Sequence, residues 1–237
     1  MAKERVLFII NVLMLILIKV STSNLLDYHF VELPNQSDVI FVIDSSQALS
    51  SSNMEHIKKY LSSILPKYTS NSKISVINTG NDVMEMILSP EDRFADTSIS
   101  NLLSNLKPLK GKQSLNKAFD YILSNNLAFQ TNSDANAKTK IVLLTPGAFD
   151  STTSSSIKDN LVDLREELKA VFTFVVFGDT YPTDRFVRPD LEVNDVILQV
   201  TNGRLLPSYL DEIHASIVNS ITGTKQFPWF PLCKCIS

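Results

Sequence analysis

The sequence predicts an α/β domain, doubly wound around a mostly parallel sheet, and three observations carry that expectation. The runs Val39–Ile43, Ile141–Leu144 and Val171–Phe177 are almost wholly apolar, the pattern of strands buried on both faces, as in the middle of a parallel sheet. Amphipathic helical patterns alternate with them, which is how helices come to cover both sides of such a sheet. Between residues 73 and 88 two stretches alternate polar and apolar residues around Asn78-Thr79-Gly80-Asn81, turn chemistry that predicts a β-hairpin and so one antiparallel strand.

Taken in order, the first strand ends on Asp44, and Asn53 is placed to cap a helix from Met54 to about Leu65. Ile57, Tyr60, Leu61, Ile64 and Leu65 fall on one face of it, and Pro66 closes it. The hairpin strands are expected over 73–77 and 82–88. A short helix follows over 98–106, then a longer one over 115–127 with Ala118, Phe119, Ile122 and Leu123 inward. Residues 130–138 read as a loop before the second apolar strand. The Ser-rich run 152–156 reads as loop and N-cap, with a helix over 162–170. The third apolar strand stops at Gly178-Asp179. A polar stretch over 181–195, a last strand over 196–200 and a closing helix over 209–221 complete the map.

The 237 residues suit one domain with small extras. Residues 1–23 have the layout of a secretory signal: Lys3 and Arg5, an apolar run from Val6 to Ile18, then Ser21 and Ser23 at the small-residue positions before a cut. The expectation is a mature chain starting near Asn24, secreted, with no membrane anchor left after cleavage, since Lys19 ends the run short of a spanning length. A lead segment 24–37 contains Asn35-Gln36-Ser37, the one N-glycosylation sequon. Cys233 and Cys235 lie in a tail, 223–237, where they are candidates for a local or interchain disulfide and are not expected to hold the fold. Losing the first 23 residues takes the formal charge from −3 to −5, which argues against nucleic acid or an anionic membrane as partner.

Asp44 is the residue that points to a site. An acid at the carboxyl end of a central parallel strand faces the crevice in which open α/β sheets bind their ligands. The segment Asp44-Ser45-Ser46-Gln47-Ala48 resembles the DxSxS loop of the von Willebrand factor A-type domain, and the element order over 38–222 is similar to that family's. The resemblance implies a sheet of about six strands with one antiparallel edge strand, helices on both faces, and recognition of a protein ligand at the top of the sheet. In that family a metal-ion-dependent adhesion site draws oxygens from three loops. Asp44 and Ser46 match the first loop and Ala48 does not. Leu109–Leu115 resembles the second, with Gln113 or, one residue along, Ser114 at the position of its threonine. Thr145-Pro146-Gly147 resembles the third, with Pro146 where an aspartate belongs, and Asp150 is the nearest other acid. Mg²⁺ demands near-octahedral oxygen coordination and gives up water reluctantly. One carboxylate and one hydroxyl compensate little of that cost, so the expectation is no cofactor, with Mg²⁺ or Mn²⁺ the alternative.

Other chemistry finds no support. His56 and His214 fall within helical patterns and His29 stands alone, there is no G-x-S-x-G elbow, and neither a P-loop nor a dinucleotide fingerprint occurs. The expected function is therefore non-enzymatic: a secreted interaction or adhesion module, metal-independent, for an extracellular protein ligand. A cation-dependent adhesion domain using Asp44, Ser46 and Ser114 is the alternative, and a hydrolase a distant third.

Overall fold

The computed structural model describes residues 38–67, 73–90, 96–125, 139–146, 151–177 and 195–200, all within the compact unit Glu32–Ser237. The leader, Asn35, His29, Asp150, the stretch 181–194, the helix expected over 209–221 with His214, and the cysteines lie outside the described residues. Six strands form one sheet, β1 (Asp38–Asp44), β2 (Lys73–Gly80), β3 (Val83–Leu88), β4 (Thr139–Thr145), β5 (Val171–Phe177) and β6 (Val196–Val200), in the order β3-β2-β1-β4-β5-β6. Every pairing is parallel except β2 with β3, so the hairpin supplies the antiparallel edge. Among the described residues four α-helices accompany them: α1 (Ser51–Ile64), α2 (Asp96–Asn105), α3 (Leu115–Ser124) and α4 (Ser151–Leu168).

Side-chain alternation along β1 splits the interior into two cores. Val39, Phe41 and Ile43 join Met54, Ile57, Tyr60, Leu61 and Ile64 of α1 and Leu103 of α2. Ile40 and Val42 point the other way, to Phe119 and Ile122 of α3 and Leu161 and Leu164 of α4. All seven residues of β1, β4 and β5 are buried, as central parallel strands require.

The structure corrects four boundaries. Helix α1 begins three residues before Met54, because the Ser50 side chain accepts the Asn53 N–H at 3.1 Å and is the N-cap; Asn53 is the donor, not the cap. Ser50→Ala should therefore cost about 1 kcal/mol in urea unfolding, and because Ser50 is exposed an unchanged midpoint would leave the cap without energetic weight. The hairpin turn is Asn81-Asp82, with φ of 53° and 58°, not Asn78–Asn81. A left-handed two-residue turn matches strand twist, so β2 runs on through Gly80 and buries its Asn78 and Thr79. Their donors are answered: the Asn78 amide donates to the Lys107 carbonyl at 3.0 Å and the Thr79 hydroxyl to the Ser114 carbonyl at 2.8 Å, while Asn78 Oδ1 has no partner among the described residues. Finally, the Ser-rich run 152–156 lies within α4, which starts at Ser151 rather than at 162, and α3 ends at Ser124, where the Asn125 N–H folds back onto the Tyr121 carbonyl.

Candidate functional site

At the carboxyl end of β1, Asp44 is completely buried, and its carboxylate accepts hydrogen bonds from three separate parts of the chain. Oδ1 takes the Ser46 N–H at 3.2 Å, closing the strand-to-helix turn. Oδ2 takes the Gln113 amide at 2.5 Å, from the loop before α3, and the Thr145 hydroxyl at 2.9 Å, from the end of β4. Burial pushes the Asp44 carboxyl above its ordinary range, and the hydrogen bonds from Gln113, Ser46 and Thr145 pull it back toward the ionised form.

Around this centre the backbone is stitched between loops. The Ser45 N–H donates to the Thr79 carbonyl at 2.9 Å, and its hydroxyl accepts the Leu109 N–H at 3.1 Å. The Lys110 N–H donates to the Ser45 carbonyl at 2.9 Å, the Gln47 N–H to the Gly111 carbonyl at 2.9 Å, and the Asn81 N–H to the Lys112 carbonyl at 2.7 Å. Gly111, at φ 64°, leaves no room for a side chain: a Cβ there would stand 2.3 Å from Asn81 Oδ1.

The sequence left Gln113 and Ser114 as alternatives in the second loop, and the structure separates them. Gln113 reaches Asp44. Ser114 turns toward the hairpin, where its hydroxyl accepts the Asp82 N–H at 2.6 Å and donates to the Lys112 carbonyl at 3.3 Å. Ser46 is buried beside Asp44, Ala48 is exposed, and Pro146 is half-buried. Two contributors escaped the sequence reading. Thr145 was passed over for its neighbour Pro146, although a hydroxyl at the end of the adjacent strand is well placed to reach Asp44. Ser45, between two motif positions, bears a buried hydroxyl that joins β2 to the second loop.

A family model for the von Willebrand factor type A domain matches residues 38–189. The chain belongs to the von Willebrand factor type A family. No curated protein sequence matches the chain. Among solved structures, proximal thread matrix protein 1 from the mussel byssus superposes with a TM-score of 0.60 at 15% identity, over 78% of this chain and 48% of that one. The same mussel protein with a zinc-occupied MIDAS motif gives 0.61 at 15% identity, over 78% and 48%. A von Willebrand factor type A protein from Catenulispora acidiphila gives 0.61 at 13% identity, over 77% and 43%. This chain thus spans about half the length of the structures it matches. At these identities the likeness shows the fold. Von Willebrand factor type A domains are typically protein-interaction or adhesion modules and in general non-enzymatic, and some bind a metal at the metal-ion-dependent adhesion site. Among the described residues of this member, no three His, Cys, Asp or Glu side chains cluster, and no helix is long and apolar enough to cross a membrane.

Proposed function

We propose that this von Willebrand factor type A domain is a secreted, non-enzymatic module that recognises an extracellular protein through the loops at the carboxyl ends of its strands, without a divalent cation. The observation that supports it is the occupancy of Asp44. Both carboxylate oxygens already accept hydrogen bonds, and the Gln113 amide sits on the oxygen a cation would need. With its carbonyl turned to Asp44 instead, Gln113 would set two acceptors against each other, so the amide direction follows from the charge. Its own Oε1 is left buried without a partner among the described residues, and one neutral acceptor is a poor replacement for stripped water. Ala48 and Pro146 supply no side-chain oxygen. The residues present do not fit a hard divalent ion.

The expected result is a melting temperature that is the same in a chelator and in millimolar Mg²⁺ or Mn²⁺, to within about 1 °C, because a ligand stabilises only in proportion to ln(1 + [L]/Kd). Asp44→Ala should be less stable than wild type in both buffers, because the Ser46 N–H, the Gln113 amide and the Thr145 hydroxyl each lose the hydrogen bond they make to it. Partner capture from the secreted protein should be unchanged by the chelator. A cation-dependent rise of several degrees in wild type that disappears in Asp44→Ala would establish a working metal site and with it the cation-dependent adhesion reading.

A further inference from the structure

We infer that the loop Lys107–Lys112 is a preformed docking surface for an acidic segment of a protein partner, its ammonium groups meeting the partner's carboxylates directly. The inference deepens the reading of the carboxyl-end loops as the recognition surface and rests on it. Lys107, Lys110 and Lys112 are all exposed, and none has an ion-pair partner among the described residues. The loop beneath them is held at every lysine: the Lys107 carbonyl by the Asn78 amide, the Lys110 N–H by the Ser45 carbonyl, the Lys112 carbonyl by the Asn81 N–H. A lysine-bearing loop fixed in this way has little backbone freedom left to lose when a partner binds.

Two further features set the loop apart. Lys110 sits at φ 58°, a left-handed conformation that is unfavourable for a non-glycine residue. A glycine would hold the turn at less cost, but it would carry no charge. Among the described residues, Asp44 is sealed under Gln113, the Glu85 carboxylate accepts from the Asn78 amide at 3.4 Å, and Asp82 stands exposed at the hairpin turn. Lys117 adds a fourth exposed ammonium at the start of α3. The whole chain has a formal charge of −3, so the loop is a local reversal of sign. An extended polyanion would meet repulsion beyond the patch, whereas a short acidic segment would not, and its encounter would be steered.

Fluorescence anisotropy with a labelled peptide of alternating Glu and Gly, at low salt, tests this against a Gln-Gly peptide and a heparin fragment. Wild type should bind the Glu peptide in preference to both. Lys107→Glu/Lys110→Glu/Lys112→Glu should weaken binding by at least about tenfold, the triple Gln variant by less, and Lys59→Glu on α1 by no more than about twofold. Circular dichroism would check that each variant is folded. Equal binding of Glu and Gln peptides, preference for heparin, or a folded triple variant that binds as well as wild type would each overturn the inference. A chelator arm keeps the two readings apart. Unchanged binding in both chelator and triple variant defeats the lysine loop alone, whereas loss in chelator with rescue by Mg²⁺ defeats the metal-independent reading.

Discussion

Asp195→Ala will destabilise the domain by about 3–5 kcal/mol, the cost of breaking a buried ion pair by removing one partner. Asp195 stands at the foot of β6 with its side chain 1% exposed, and Arg165 of α4, 9% exposed, donates to its Oδ2. Its Oδ1 accepts the Phe172 N–H at 2.9 Å, so the acid also extends the β5–β6 ladder by one bond. The Arg165 guanidinium lies 5.1 Å above the Phe172 ring, which in turn stacks on Phe174 at 5.6 Å. Removing the carboxylate takes from the guanidinium its buried counter-ion and from the Phe172 N–H its acceptor, within this aromatic layer. Asp195→Asn, which keeps the acceptor and loses the charge, should fall between. Urea unfolding followed by circular dichroism is the measurement, and a loss below about 1 kcal/mol for the Ala variant would mean that Arg165 finds water or another acceptor.

Lys140→Met will stabilise the protein at neutral pH and remove part of its pH dependence. Lys140 points into the sheet's interior, completely buried, with its Nζ donating to the Phe172 carbonyl at 3.3 Å. Burial lowers its pKa from 10.5 to about 7, the nearby Asp195 charge opposing the shift. Between those two values the unfolded chain holds a proton that the folded chain has released. Wild-type stability should therefore rise with pH from about 7 to about 10.5, where the burial penalty has vanished, and the penalty should be complete below 7. The Met variant lacks this contribution, so the difference between the two proteins should be largest at pH 7 and below and shrink toward pH 10.5. A difference independent of pH would show that Lys140 stays charged when folded, held by Asp195. The two substitutions are not independent, because each alters the field at the other, and a double-mutant cycle would measure their coupling.

The parts of this protein that were legible in its sequence are those in which burial repeats with a period. Val39–Ile43 and Val171–Phe177 could hardly be anything but central strands, and the face of α1 from Ile57 to Ile64 followed from helical spacing. The hairpin was visible while its turn was misplaced, because Asn78 and Thr79 look like turn residues and are in fact buried polar residues whose partners, Lys107 and Ser114, lie about 30 positions away. The same holds at the site. Asp44, Ser46 and Gln113 were reachable through motif spacing, whereas Thr145 at the end of a different strand, the direction of Ser114, and the joining role of Ser45 depend on which loops the sheet order brings together. Lys140, Arg165 and Asp195 left no local signal. Each looks like an ordinary polar residue flanking a strand or on a helix, and only the β4–β5–β6 pairing, with α4 packed over Phe172, makes them neighbours.

The stitching around Asp44 also has a kinetic consequence. A loop tied down by one bond can open alone, but the turn after β1, the hairpin tip and the segment before α3 share the bonds of Ser45, Gln47, Asn81, Lys110 and Gln113. None can lift without breaking those of another. These three segments should therefore open as a single cooperative unit, rarely and all at once, and their amide protons would leave on one common timescale. A surface that moves in this way meets its partner as a nearly rigid body, and what it recognises must come to it already in shape.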